Sequence, residues 1–238
     1  MVLVVTGSLS IPAPAFPPLP PADTRNICGT DDIEQLDKVT DDLIHEWSRP
    51  VGMLHTVDTA CTGTLISEDL FLTAGHCQDQ CSKLQVTFGH LGRDGETFAC
   101  KKIVEVGPNI QTDDYMVLEL EGSPGVHWGW HKFRTQSVTV GTPLLIIHHP
   151  GGFPMRVSRK NCSFGGLEGD FFLHVCDTFG GSSGAAILVP DYEHPENTGI
   201  IATHTRGGCT VQGTGFNKGP TMAHLISKSP MLQAIHGK

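Results

Sequence analysis

Residues 176–188 read Cys176-Asp177-Thr178-Phe179-Gly180-Gly181-Ser182-Ser183-Gly184-Ala185-Ala186-Ile187-Leu188, two serines set among glycines and followed at once by an apolar run. Glycine lacks a Cβ, so it accepts positive-φ backbone and lets a ligand come close to the main chain. A serine held in such a turn, with neighbouring N–H groups turned the same way, has the makings of a nucleophile beside an oxyanion hole. Which serine is not settled by the run itself. The spacing Gly180-Gly181-Ser182-Ser183-Gly184 also fits a G-x-S-x-G elbow, which would make Ser182 the nucleophile. Seen alone, the run is equally a glycine-rich turn before a buried strand.

Two upstream stretches bear on the choice. Cys61-Thr62-Gly63-Thr64-Leu65-Ile66-Ser67 leads through Leu70-Phe71-Leu72 to Thr73-Ala74-Gly75-His76-Cys77. Further on, Asp113-Asp114-Tyr115-Met116-Val117-Leu118-Glu119-Leu120 sets an acid at the head of an apolar strand. The order along the chain is His, Asp, Ser, whereas the α/β-hydrolases run Ser, Asp, His. On these motifs the chain from Ile27 onward resembles the trypsin/chymotrypsin-like serine endopeptidases. Ile27-Cys28-Gly29-Thr30-Asp31-Asp32 and Ile146-Ile147-His148-His149-Pro150-Gly151-Gly152 narrow the resemblance to the bacterial-type branch that includes glutamyl endopeptidases.

The resemblance implies an all-β, chymotrypsin-like double six-stranded antiparallel β-barrel with a short C-terminal helix, and a serine endopeptidase that works through an acyl-enzyme. Ser183 would be the nucleophile, His76 its base and Asp114 the group that orients the imidazole. Asp114 is preferred to Asp113 because the family's acid directly precedes its strand, and Asp113 would shift the strand by one residue. The N–H groups of Gly181 and Ser183 would form the oxyanion hole. Ser182 stands where the animal trypsins carry an Asp that pairs with a freed N-terminal ammonium, so that switch cannot operate here in the same form. Thr178, His204 and Thr205 match pocket positions, where a hydroxyl and an imidazole N–H can donate to an acidic side chain and a protonated imidazole adds charge. Glu before the scissile bond is therefore expected. A basic or small apolar preference stays open, because the lysyl-type branch shares much of the serine motif and Arg206 replaces the usual aromatic. Cys61 and Cys77 match the family's disulfide beside the catalytic His, and Cys162 with Cys176 would close a loop before the nucleophile. Cys81–Cys100 and Cys28–Cys209 are then what remains.

Composition fits this picture. A formal charge of −9 argues against a nucleic-acid surface. No apolar run approaches membrane-spanning length. Eight cysteines favour oxidised pairs and an extracellular, secreted protein. No cofactor or metal is expected; Cys77-x-x-x-Cys81 lacks a second ligand pair at a zinc-like spacing. The partner is a protein or peptide substrate, and the chain is expected to act as a monomer. Residues 1–26 read as a leader or propeptide, apolar and then proline-rich, with Arg25 a processing point, or else as an ordinary disordered tail. Residues 27–122 would be the N-terminal barrel carrying His76 and Asp114, and residues 123–238 the C-terminal barrel carrying Ser183 and the terminal helix. Strands are expected at 62–67, 70–73, 84–88, 102–106, 115–120, 137–140, 144–148, 155–158, 171–175, 185–188 and 200–205, and helix at 221–235. Two rival functions remain: an α/β-hydrolase esterase using Ser182, which needs long helices and a His after the serine, and a non-enzymatic scaffold, which usually loses a triad member.

Overall fold

The structure is a computed structural model that describes residues 25–89 and 95–237. The expected leader lies outside the described residues except for Arg25–Asn26, which form a short strand, β1. Then come β2 (Glu34–Gln35) and helix α1 (Asp42–Ser48), whose first turn is capped by the Asp41 carboxylate accepting the Leu43 N–H. Six strands follow: β3 (Val51–His55), β4 (Ala60–Leu65), β5 (Leu70–Thr73), β6 (Gln85–Phe88), β7 (Glu96–Val106) and β8 (Met116–Leu120). They close into an antiparallel barrel in the order β3-β4-β5-β8-β7-β6. A short helix α2 (Gly125–Trp128) and β9 (Lys132–Phe133) lead into the second half.

That half holds β10 (Leu145–His148), β11 (Arg156–Ser158), β12 (Phe164–Glu168), β13 (Phe171–His174), β14 (Thr178–Phe179), β15 (Ala186–Val189), β16 (Gly199–Thr203) and β17 (Asn217–Pro220). It differs in detail from the expected closed antiparallel barrel. Its strands form a six-stranded sheet, β2-β11-β10-β15-β16-β9, whose β16–β9 pair is parallel, and a three-stranded sheet, β12-β13-β17, while β14 pairs with β1. The chain ends in two helices, α3 (Met222–Lys228) and α4 (Pro230–His236), where one was expected. The break has a local cause. Pro230 cannot continue α3 but suits the first position of α4, and the Ser229 hydroxyl caps that helix by accepting the Leu232 N–H.

The apolar runs are continuous because the central strands bury both faces. Successive side chains of a strand point to opposite faces. On β8, Met116 and Leu118 enter the barrel core with Leu54, Leu65, Phe71, Val86 and Phe88, while Val117 faces a second core. On β10 and β15 the same alternation sends Ile146 and Ile187 into the core of the second half with Phe164 and Phe172. Their neighbours Leu145, Ile147 and Leu188 join Val117, Met222 and Leu225 in the core between the halves. Gly63 permits a close approach inside the barrel: a Cβ there would lie 2.4 Å from the Phe71 ring. The terminal helices are also fastened to the first half. Ser229 Oγ and Tyr115 Oη both donate to the Glu105 carboxylate at 2.7 Å.

Candidate active site

The shared core fixes the end of β5, the head of β8 and the turn before β15, and His76, Asp114 and Ser183 lie on these three pieces. His76 sits on a single helical turn after β5 that is tied back to β4 by the disulfide Cys61–Cys77. Gly75 lets that turn approach the head of β8, since a Cβ there would stand 3.0 Å from Tyr115 O and 3.2 Å from Asp114 Oδ1. Asp114 then holds the histidine twice. Its Oδ1 accepts the His76 N–H at 2.9 Å, and its Oδ2 accepts from Nδ1 at 2.8 Å. The carboxylate is buried and the ring half-open to solvent. With Nδ1–H committed to Asp114, Nε2 is the lone-pair nitrogen. Asp113 points elsewhere, to His224 on α3, whose Nε2 lies 2.7 Å from it and whose Nδ1 lies 3.2 Å from Asp170.

Ser183 follows a turn whose shape depends on glycine. Gly181 has φ +92°, and a Cβ on it would meet His149 O at 2.6 Å; Gly184 has φ +86° and packs against Thr62 and Thr73. Gly151 N–H donates to Gly180 O, and the Thr62 hydroxyl donates to Gly181 O. In a trans peptide the C=O and the following N–H point in opposite directions. The Gly181 N–H is thereby turned away from Gly151, and among the described residues neither it nor the Ser183 N–H has an acceptor. Two free backbone donors beside a serine are what an oxyanion hole requires. No hydrogen bond joins Ser183 Oγ to His76 Nε2 in this structure. Ser182, the alternative nucleophile, is fully buried and bonded to His148.

Thr178, His204 and Thr205 are all buried. Among the described residues the Thr178 and Thr205 hydroxyls have no partner, a cost of about 1–3 kcal/mol each in a finished interior. The tautomer of His204 follows from its surroundings. Cys176 N–H donates to His174 Nδ1, so His174 carries its proton on Nε2 and donates to His204 Nδ1 at 3.1 Å. His204 is left with Nε2–H as its free donor. Burial, reinforced by His76, pushes its pKa down to about 3. The charge expected of a protonated His204 is therefore corrected: above mildly acidic pH the ring is a neutral donor. Arg206, from the same segment, reaches across to donate to Ile110 O and Gln111 O in the loop before Asp114.

Sequence reasoning gave no role to Thr62, His148, His174 or Asp177. Asp177 is the acid adjoining Thr178, yet its carboxylate is taken by the N–H groups of Cys28 and Asp32. The eight cysteines form four disulfides: Cys28–Cys209, Cys61–Cys77, Cys81–Cys100 and Cys162–Cys176. Cys61, Cys77 and His76 cluster closely enough to suggest metal ligands, but the two sulfurs are bonded to each other, which leaves one imidazole and no fit for an ion. Finally, Asn26 pairs with Thr178 while its side chain lies against Gly207, where a Cβ would fall within 2.2 Å of the amide.

An all-β fold of two halves with this His–Asp pair and glycine turn defines the class of trypsin-like peptidases. Residues 61–193, more than half of the chain, match the trypsin-like peptidase domain, and the chain belongs to that family. Over 172 residues it is 29% identical to an extracellular metalloprotease of Bacillus subtilis, covering 62% of this chain and 51% of that protein. Over 214 residues it is 23% identical to a glutamyl endopeptidase of Bacillus licheniformis, covering 84% and 66%. The chain thus spans between half and two thirds of these curated relatives. Among solved structures, a Glu endopeptidase in complex with MPD superposes with a TM-score of 0.67 at 20% identity, over 89% of this chain and 97% of that one. The protease Rv3671c of M. tuberculosis, in an inactive Ser343Ala form, gives 0.64 at 15% identity over 84% and 95%.

Proposed function

We propose that this chain is an exported serine endopeptidase that prefers Glu before the scissile bond. The observation that carries the activity is the doubly held His76–Asp114 pair, on a segment whose Thr73 and Ala74 pack against Gly184, together with the Gly181 and Ser183 N–H groups that have no acceptor among the described residues. His76 Nε2 takes the proton of Ser183 Oγ as it attacks the carbonyl, and the carbonyl oxygen gathers charge against the Gly181 and Ser183 N–H groups. Asp114 stabilises the imidazolium, which protonates the departing amine. Water, activated by the same nitrogen, then releases the acyl group.

Three donors support the acidic preference: Thr178 Oγ1, Thr205 Oγ1 and His204 Nε2–H. A desolvated carboxylate gains from each of them, whereas an ammonium would meet only two neutral hydroxyl oxygens and no counter-charge among these groups. Asp177, which precedes Thr178 in the chain, is already satisfied by two backbone donors. The glutamyl endopeptidase relative points the same way. Four disulfides fit an oxidising compartment. The test is a set of peptides differing only in the residue before the scissile bond, with Ser183→Ala as control. Glu should give the highest kcat/KM and Lys should be poor. A preference for Lys or Arg would sink the acidic reading and leave the peptidase standing.

A further inference from the structure

Ser182 lacks the carboxylate by which animal trypsins hold this turn, yet the turn is formed. We propose that His148 is a positioning residue for the oxyanion hole, locking the Ser182 hydroxyl through an uncharged relay that runs Ser182–His148–Ser158 and ends on the carbonyl of Asp177. The proposal rests on the peptidase reading and not on the choice of substrate.

The relay has one consistent direction. Ser158 Oγ spends its only hydrogen on Asp177 O at 2.7 Å, so toward His148 Nε2, 3.2 Å away, it accepts. His148 therefore carries its proton on Nε2 and presents a lone pair on Nδ1. Ser182 Oγ, 2.8 Å from Nδ1, must donate there, and it accepts the Phe179 N–H in turn. Ser182, His148 and Ser158 are all fully buried. Burial, with His204 and His149 nearby, holds the His148 imidazole well below its ordinary pKa, so the neutral form that this pattern needs is the one present.

The relay closes on itself. It starts and ends within residues 177–182, crossing the tips of β10 and β11, and so clasps the segment that leads into Gly181 and Ser183. Asp177 is anchored a second time by Cys28 and Asp32. No member needs a chain terminus, so the oxyanion hole is assembled without a freed ammonium. A buried neutral chain also avoids the desolvation cost of an ion pair. His148 acts on the reaction through Ser182; it touches no reacting atom.

The test combines kinetics with a measurement that needs no turnover. His148→Leu should lower kcat by about 10²–10³-fold, the range for losing one oxyanion-hole donor, with little change in KM. Ser182→Ala should fall similarly, and the double variant should fall no further. His148→Asn, which restores an acceptor near the Nδ1 position, should recover much of the loss; it also carries the test if His148→Leu does not fold. Independently, 15N NMR of the Ser183→Ala protein should show His148 as the neutral Nε2–H tautomer. An unaltered kcat in a folded His148→Leu protein, additive losses, or a cationic or Nδ1–H ring would overturn the proposal. Absence of peptidase activity in the unaltered protein would instead strike the functional reading, and the tautomer would still decide the relay.

Discussion

Acid should destabilise this protein unusually steeply, because several imidazoles are buried neutral. His131 donates its Nε2–H to the Trp47 carbonyl, and burial pushes its pKa down to about 4; that of His204 stands at about 3. Unfolding returns both rings to an ordinary value of about 6.5. Between that value and the folded one, the unfolded chain binds protons that the native state refuses. The stability from these groups is thus complete above about pH 6.5 and is lost as pH falls toward their folded values. From pH 7 to pH 5 each ring costs about 2 kcal/mol, roughly 4 together. The figure depends little on the depth of the shifts, since pH 5 still lies above both folded values. His148 and His174, also held well below the ordinary range by burial, act in the same direction. Asp32 and Asp177, raised above 3.8 by burial, oppose it, but chiefly at lower pH. A loss of this size is a large part of a typical domain's stability of about 5–15 kcal/mol. The assay is urea unfolding of the Ser183→Ala protein, which cannot digest itself, with disulfides intact, at pH 7 and pH 5. A change below about 1 kcal/mol would mean that these imidazoles are not buried neutral, and the tautomer argument at His204 would fall with them.

Other expectations follow from single contacts. His174→Phe removes the donor that fixes His204, so the preference for Glu over an uncharged residue should shrink by about tenfold, worth roughly 1.4 kcal/mol; peptide kinetics showing an unchanged ratio would count against that role. Asp113 and Asp114 should separate cleanly. Asp114→Asn should cut kcat by about 10⁴ with the fold intact, whereas Asp113→Asn should weaken the His224 contact and lower the melting temperature with kcat nearly unchanged. Because Arg25 pairs with Phe179 and Asn26 with Thr178, cutting the chain after Arg25 removes half of that pairing and frees Asn26 to leave Thr178, so kcat/KM on peptides should rise; equal activity before and after the cut would show that the segment obstructs nothing.

Much of the site was legible because its chemistry forces a residue type. Only glycine serves at Gly181 and Gly184, and the acid that holds His76 has to precede an apolar strand, which selects Asp114 over Asp113. The core strands β8, β10 and β15 were legible as apolar runs because both their faces are buried. Other elements carried no such signal. Strand β17, Asn-Lys-Gly-Pro, and β12, Phe-Gly-Gly-Leu-Glu, are held by pairing with β13, which their own composition does not announce. Residues 137–140 alternate like a strand but form none, and Val140 is exposed. Strand β7 begins six residues earlier than expected, since its first half mixes polar and apolar residues, is largely exposed and takes its place from pairing with β6. Helix α1 was missed: at seven residues it is too short to show a repeat, and its Asp41 cap looks like any turn residue. His148 and His174 interrupt apolar strands as ordinary buried histidines do. Their roles depend on which atom each ring faces, and strand spacing does not encode that.

The most direct test of the account is covalent labelling of the nucleophile. A fluorophosphonate reagent, followed by peptide mapping, should place one adduct on Ser183, and both His76→Ala and Ser183→Ala should abolish it. Labelling of Ser182, or labelling that persists without His76, would contradict the catalytic assignment at its centre.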